Sequence, residues 1–198
     1  MREERTYETA AGAAVFAAIV RRANRDDADT LYMLINLAYR TERRLLPGPR
    51  ILKTDLYAEL ADRANVFIVA ETDGHIVGTI RVRVEEGPAY GPRSPFFGLF
   101  AVAPQCQHNG VGRRLIAAAE EVVRASGLGE IHLQCAREMG MCGYYEALGY
   151  RAIEEDFGPH GNCVQIFTLV TMRKDLRQAR GGSNLNPPNP EKSDAKEV

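Results

Sequence analysis

Tryptophan is absent from the 198-residue chain, and only four cysteines occur: Cys106, Cys135, Cys142 and Cys163, with no Cys-x-x-Cys pair. That scatter argues against a zinc ribbon or a disulfide framework and leaves reduced thiols, the ordinary state in the cytoplasm. An excess of one charge is also lacking. The 25 Lys and Arg against 26 Asp and Glu give a net charge of −1, so no bulk field draws the chain to nucleic acid or anionic lipid. No apolar run approaches the ~20 residues that span a bilayer. Residues 10–20 are apolar but meet Arg21-Arg22 without a small-residue cleavage signal, so a secretory leader is not expected. The expectations are a cytoplasmic protein with no metal, no nucleic-acid partner and no membrane partner. Its length suits one well-buried domain.

The punctuation of the chain is clear. Residues 1–12 are charged, then Ala-rich, and read as a flexible arm. A first strand is expected over 15–22. Asn24, Asp26 and Asp27 supply capping side chains for a helix in which Leu31, Leu34, Ile35 and Ala38 recur at spacings of three and four. Pro47-Gly48-Pro49 stops its continuation, and Thr54 is the expected cap of a short second helix reaching about Arg63. Thr72-Asp73-Gly74-His75 joins strands over 66–71 and 76–85, because Asp-Gly between apolar runs signals a hairpin. In the second strand Ile80, Val82 and Val84 alternate with Thr79, Arg81 and Arg83, which predicts one buried and one wet face. A Pro/Gly loop over 87–95 leads to a strand ending at Val102. A helix over 111–126 follows, with Gly127 at its C′ position. Then come a strand over 131–135, a helix over 139–148 stopped by Gly149, and strands over 150–153 and 164–172. From about Arg177 the composition is that of a disordered tail. The pattern predicts an α/β (α+β) fold over 13–176, with a mixed sheet, and a tail over 177–198.

The most informative stretch is Gln107-His108-Asn109-Gly110-Val111-Gly112, between the apolar run 96–102 and the amphipathic stretch that begins at Val111. A strand that turns through glycines into a helix presents free N–H groups and a positive helix end, which suits a phosphate or pyrophosphate. Gln107, Arg113 and Arg114 can add side-chain donors. Two familiar nucleotide motifs fail here. A dinucleotide fingerprint needs a third glycine where Leu115 stands, and a P-loop needs Gly-Lys-Ser/Thr.

With the element order, two sets of residues resemble the GCN5-related N-acetyltransferase (GNAT) superfamily over about residues 15–176. Gln107-x-x-Gly110-x-Gly112, preceded by Ala101-Val102-x-Pro104, matches that family's Gln/Arg-x-x-Gly-x-Gly/Ala signature. Tyr145-Glu146-Ala147-Leu148-Gly149-Tyr150 matches its Tyr-x-x-x-Gly-Phe/Tyr element. The resemblance implies a sheet of six to seven strands, about four helices, splayed fourth and fifth strands, and acetyl-CoA as co-substrate. It places Phe100, Ala101, Val102, Gln107, His108, Asn109, Gly110, Val111, Gly112, Arg113 and Tyr145 on the cofactor. The Phe100 N–H would face the thioester carbonyl and Tyr145 would protonate the leaving thiolate, with Tyr144 the alternative if the register shifts by one.

The resemblance leaves the general base open, since Phe96 stands where some relatives carry Glu. Glu85 completes the implied catalytic set by topology, with Glu86 and the loop histidine His160 as neighbours in that search. Glu138 and Met141 depart from the family's usual Asn and Ala. The implied partner is an amine acceptor, small or peptide, reached directly in a ternary complex, and homodimerisation stays open. Glu154-Glu155-Asp156 with Glu85 and Glu86 is either an acidic mouth for a cationic amine or ordinary surface charge. An acyl-CoA sensor or scaffold without turnover, and a purely structural role, are the competing readings.

Overall fold

The structure is a computed structural model that describes residues 18–84 and 95–177. The expected arm, the start of the first strand, Glu85 and Glu86, and the tail past Arg177 lie outside the described residues. Asn24 opens the helical part. Its side-chain oxygen accepts from the Asp26 and Asp27 N–H groups at 2.8 and 3.2 Å, and the Asp27 carboxylate accepts the Asn24 N–H at 2.8 Å. This reciprocal cap closes a 3₁₀ turn, Arg25–Asp27, that runs directly into helix α1, Ala28–Ala38. The Arg21 guanidinium of strand β1, Ile19–Arg22, bonds Asp27 and holds its carboxyl below the usual range.

After α1 the chain tightens into a second 3₁₀ segment, Tyr39–Arg44, before helix α2, Lys53–Ala61. Thr54 is not the cap of α2; Leu52 holds that position and the Thr54 hydroxyl bonds the Asp55 carboxylate instead. Strands β2, Asn65–Thr72, and β3, His75–Arg83, form the expected hairpin. Asp73 (φ 51°) and Gly74 (φ 75°) take the left-handed conformations that a two-residue turn of this twist requires.

The two-faced reading of β3 is corrected by the structure. Thr79 is fully buried and Arg81 is 5% exposed. The Arg81 guanidinium meets the Glu59 carboxylate of α2 at 2.8 Å, and the Thr79 hydroxyl donates to the Ile68 carbonyl at 3.0 Å. Alternating polarity normally marks a half-exposed strand. Here the polar face lies beneath a second helical layer, and a buried arginine is tolerated because its charge is paired. On the opposite face, Gly78 lets helix α3 close on the sheet, since a Cβ there would lie 2.8 Å from the Leu115 Cδ1.

Strand β4, Phe96–Val102, leads through a short loop to α3, Val111–Ala125, whose buried Val111, Leu115, Ile116, Ala119 and Val123 form its inner stripe. Gly127 (φ 77°) ends that helix as expected. Strand β5, Glu130–Ala136, then reaches a 3₁₀ turn, Arg137–Met139. Gly140 (φ 72°) breaks the single helix expected over 139–148, so α4 is only Cys142–Glu146. Strands β6, Arg151–Gly158, and β7, Phe167–Asp175, complete a seven-stranded sheet of order β1-β2-β3-β4-β5-β7-β6. All neighbours are antiparallel except β4 and β5, which are parallel. Those two strands share one partner pair, Phe96 with His132, then part. The sheet therefore opens in its middle.

Candidate active site

The opening between β4 and β5 is shaped by a bulge. Thr79 pairs with Ala101 and Arg81 with Gly98, so Ile80 alone faces both Leu99 and Phe100. Leu99 takes φ 46°, a conformation that a branched residue holds only under constraint from its surroundings. Past the bulge, β4 pairs with no β5 residue among the described residues, and Ala101–Val102 keep an edge turned toward the gap. An extended chain can add to such an edge by backbone hydrogen bonds.

The loop after β4 ends in a backbone cradle. Ala103 N–H bonds the Val77 carbonyl at 2.8 Å, and Cys106 and Gln107 N–H groups close on Ala103 and Pro104. The Gln107 side-chain amide donates to the Val102 carbonyl at 3.3 Å, so it braces the loop. His108 (φ 63°) and Gly110 (φ 78°) both turn left-handed, and the run 107–110 is exposed. Gly110 is the N-cap of α3 and no side chain caps the helix start. The free N–H groups there form a positive concavity suited to phosphate oxygens. Nothing lies within 4 Å of a Cβ built on Gly110, whereas one on Gly112 would lie 2.9 Å from both the Phe100 ring and the Tyr144 hydroxyl. The first glycine thus serves the turn, and the second serves close packing. Burial raises the Tyr144 hydroxyl, and the Arg113 charge opposes that shift. Arg114 does not join it, because its guanidinium bonds the Ala18 carbonyl at 3.0 Å.

Aromatic rings wall the gap. Tyr145 is 6% exposed and sits edge-on or tilted against Phe97, Phe100, Tyr144 and Tyr150, with centroids 5.5 to 6.5 Å away. Its hydroxyl has no hydrogen-bond partner among the described residues, unlike Tyr150, whose hydroxyl donates to Glu120 at 3.0 Å. Burial pushes the Tyr145 hydroxyl well above its ordinary value, so it is a proton donor at neutral pH. Tyr144 is half-buried and stacks on Phe100 at 6.5 Å, over the start of α3. Gly149 (φ 90°) reverses the chain so that Tyr150 lies beside Tyr145.

Three residues that the sequence reading missed complete the wall. Tyr39 packs against the core, and burial shifts its hydroxyl upward. Glu42 lies one 3₁₀ turn further on, and its charge is felt at the hydroxyls of Tyr39 and Tyr145 and at the Cys135 thiol. The Arg50 guanidinium lies 4.8 Å from the centre of the Tyr39 ring. The only sequence signal for this group was a Tyr–Glu spacing of three before a Pro-Gly-Pro break.

Other expected residues are placed elsewhere. Glu138 accepts the Thr168 N–H through both oxygens, at 3.0 and 3.2 Å. Glu155 pairs with Arg137 on the exposed strand β6. His160 packs on Phe167 and its ring bonds the Asp156 carbonyl at 3.0 Å. Cys135 and Cys142 are free thiols 3.5 Å apart, and burial pushes Cys135 up to about 12.

Comparison with known proteins gives one answer. The model of the Acetyltransferase (GNAT) family matches residues 28–150. The S-(2-succino)cysteine N-acetyltransferase of Bacillus subtilis is 31% identical over 162 residues, covering 79% of this chain and 97% of that protein. The ribosomal-protein-S18-alanine N-acetyltransferase of Escherichia coli superposes with a TM-score of 0.64 at 14% identity, covering 85% of this chain and 99% of that one. The protein yncA of Salmonella typhimurium, solved with its cofactor acetyl-CoA, gives a TM-score of 0.67 at 16% identity, over 83% of this chain and 97% of that one. A splayed parallel pair, a bulged fourth strand and an uncapped helix start agree with these likenesses: the chain belongs to the GNAT family and is an acetyl-CoA-dependent N-acetyltransferase.

Proposed function

We propose that the protein transfers acetyl directly from acetyl-CoA to the primary amine of a small carboxylated, amino-acid-like acceptor, in a ternary complex. The observation that carries the donor side is the uncapped start of α3 opening onto the free edge of β4. His108, Asn109, Gly110, Val111, Gly112 and Arg113 would hold the pyrophosphate on the loop that Gln107 braces, and Ala101 and Val102 the pantetheine arm. When bound, acetyl-CoA supplies an activated acyl carbon and a thiolate leaving group. The Phe100 N–H, at the bulge, would stabilise charge developing on the carbonyl oxygen. The Tyr145 hydroxyl, held protonated by burial, would give its proton to the departing sulfur. Direct transfer is favoured over an acetylated cysteine. Cys135, beside Tyr145, is a thiol and not a thiolate near neutral pH.

The acceptor class rests on two supports. The Bacillus subtilis relative is named for a cysteine whose sulfur carries succinate, a primary amine with several carboxyl groups. Beside Tyr39 the exposed Arg50 guanidinium offers a cation that suits carboxylates better than a polyamine. Thiol release from acetyl-CoA, measured with S-(2-succino)cysteine, free amino acids, alanyl peptides and spermidine, tests this. Faster turnover of the carboxylated amines is expected. Preference for spermidine would overturn the acceptor class, and no release with any amine would overturn the whole reading.

A further inference from the structure

The mechanism above lacks a group to take a proton from the acceptor, since an amine arrives as an ammonium ion and cannot attack until it loses one. Glu85, the sequence-based expectation, lies outside the described residues. We infer that Glu42, on the 3₁₀ segment between α1 and α2, is the general base that deprotonates the acceptor amine.

The geometry begins with the segment's own pitch. A 3₁₀ helix has three residues per turn, so positions i and i+3 fall on one side. Tyr39 and Glu42 stand in that relation within Tyr39–Arg44, while Arg40, Thr41 and Arg43 are exposed. That side of the segment faces inward, because Tyr39 packs on the core and Leu45, three residues beyond Glu42, is buried. Glu42 is thereby turned toward the gap, one turn further along.

The segment is also pinned to the β5 side of the opening. The Arg44 guanidinium donates to the Glu138 carbonyl at 2.8 Å, in the turn between β5 and α4. Beyond it, Leu45 is buried and its carbonyl accepts the Val164 N–H, from the loop joining β6 and β7, at 3.0 Å. Leu45 and Leu46 N–H groups close on the Glu42 carbonyl at 2.8 and 2.9 Å, so the backbone at Glu42 is held from within. Since α1 packs on β4, the segment that carries Glu42 runs from the β4 side of the opening to its β5 side.

The groups facing Glu42 come from each neighbouring element: Tyr39 on its own segment, Arg50 on the following loop, Cys135 on β5 and Tyr145 on α4. Arg81 also acts on Tyr39 but is engaged with Glu59. The Arg50 charge draws the Glu42 carboxyl down, and its pull is weaker than the opposing effect of burial. Glu42 therefore titrates above the usual carboxylate range, closer to the pH at which a base of this kind works best.

The proton and bond changes balance. The ammonium gives one proton to Glu42, directly or through one water. The nitrogen–carbon bond forms as the carbon–sulfur bond breaks, and Tyr145 protonates the sulfur. The second proton shed by nitrogen restores Tyr145, and Glu42 releases its proton to water, so each turnover yields amide, CoA thiol and one proton.

This inference rests on the proposed N-acetyltransferase reading, and the test separates the two. Wild type and Glu42→Gln are compared for acetyl-CoA affinity, melting temperature and thiol release, with the best acceptor of the panel above. Glu42→Gln should lower kcat by ~10²-fold or more, keep the acetyl-CoA affinity, and abolish the acid limb of the kcat/KM profile. Its melting temperature should be equal or higher. Burial disfavours the ionised Glu42, so the native state loses stability as pH rises through its folded pKa, and Gln removes that penalty. Glu42→Asp should recover part of the rate and restore the limb. If Glu42→Gln turns over at the wild-type rate, or keeps the acid limb, Glu42 is not the base although the enzyme reading stands. If wild type releases no thiol with any amine, both fall.

Discussion

The two sides of the gap are built by different means. The donor side is backbone: a bulged strand edge, a left-handed loop and an uncapped helix start, all within about a dozen residues of chain. The proposed acceptor side is side chain: Tyr39, Glu42 and Arg50 come from a 3₁₀ segment and the loop after it. Backbone recognition fits the proposed cofactor, because pyrophosphate and pantetheine present the same oxygens and amides each time. Side-chain recognition can vary from one acceptor to another without disturbing that frame.

That difference predicts a clean separation of effects when each side is broken. The largest should come from Gly112→Val. The new side chain would overlap the Phe100 ring and Tyr144 hydroxyl, which lie 2.9 Å from even a Cβ. Acetyl-CoA affinity measured by calorimetry should fall by ~10²-fold, equivalent to ~2.7 kcal/mol. Tyr145→Phe should follow, with kcat lower by ~10²-fold and acetyl-CoA affinity intact, read from thiol release and calorimetry on the same preparation. Unchanged kcat would remove the acid role.

Arg50→Met tests the acceptor side more gently. Loss of its guanidinium should raise the acceptor KM about tenfold, the value of one exposed charge-assisted hydrogen bond. It should also move the acid limb of the pH profile upward. Arg50 holds the Glu42 carboxyl down against the effect of burial, so its removal makes ionisation harder. A limb that moves downward would contradict the placement of both residues. Gln107→Ala should do least. Its amide bonds the Val102 carbonyl rather than pointing into the cradle, so a loss of only a few-fold in acetyl-CoA affinity is expected by titration.

The same contrast explains what could be read before the fold was seen. Gln107, Gly110 and Gly112 carry a local pattern because the backbone that they shape is contiguous. Gly149 is legible for the same reason: it takes a conformation that favours glycine and sits a fixed distance from Tyr145. The bulge was not legible, since Leu99 is an ordinary strand residue and only its pairing with β3 shows the left-handed turn. Arg81 was misread as wet because alternation reports one strand and is blind to the helix laid over it. Glu42 was missed because a 3₁₀ segment has neither the period of a helix nor that of a strand.

The division of labour across the gap is tested most directly by acetyl-CoA calorimetry on Gly112→Val and Glu42→Gln in parallel with wild type. Binding should be lost or greatly weakened in Gly112→Val and retained at wild-type strength in Glu42→Gln, whose defect appears only in turnover. Equal binding by all three proteins, or weakened binding in Glu42→Gln alone, would contradict a donor site made of backbone and an acceptor site made of side chains.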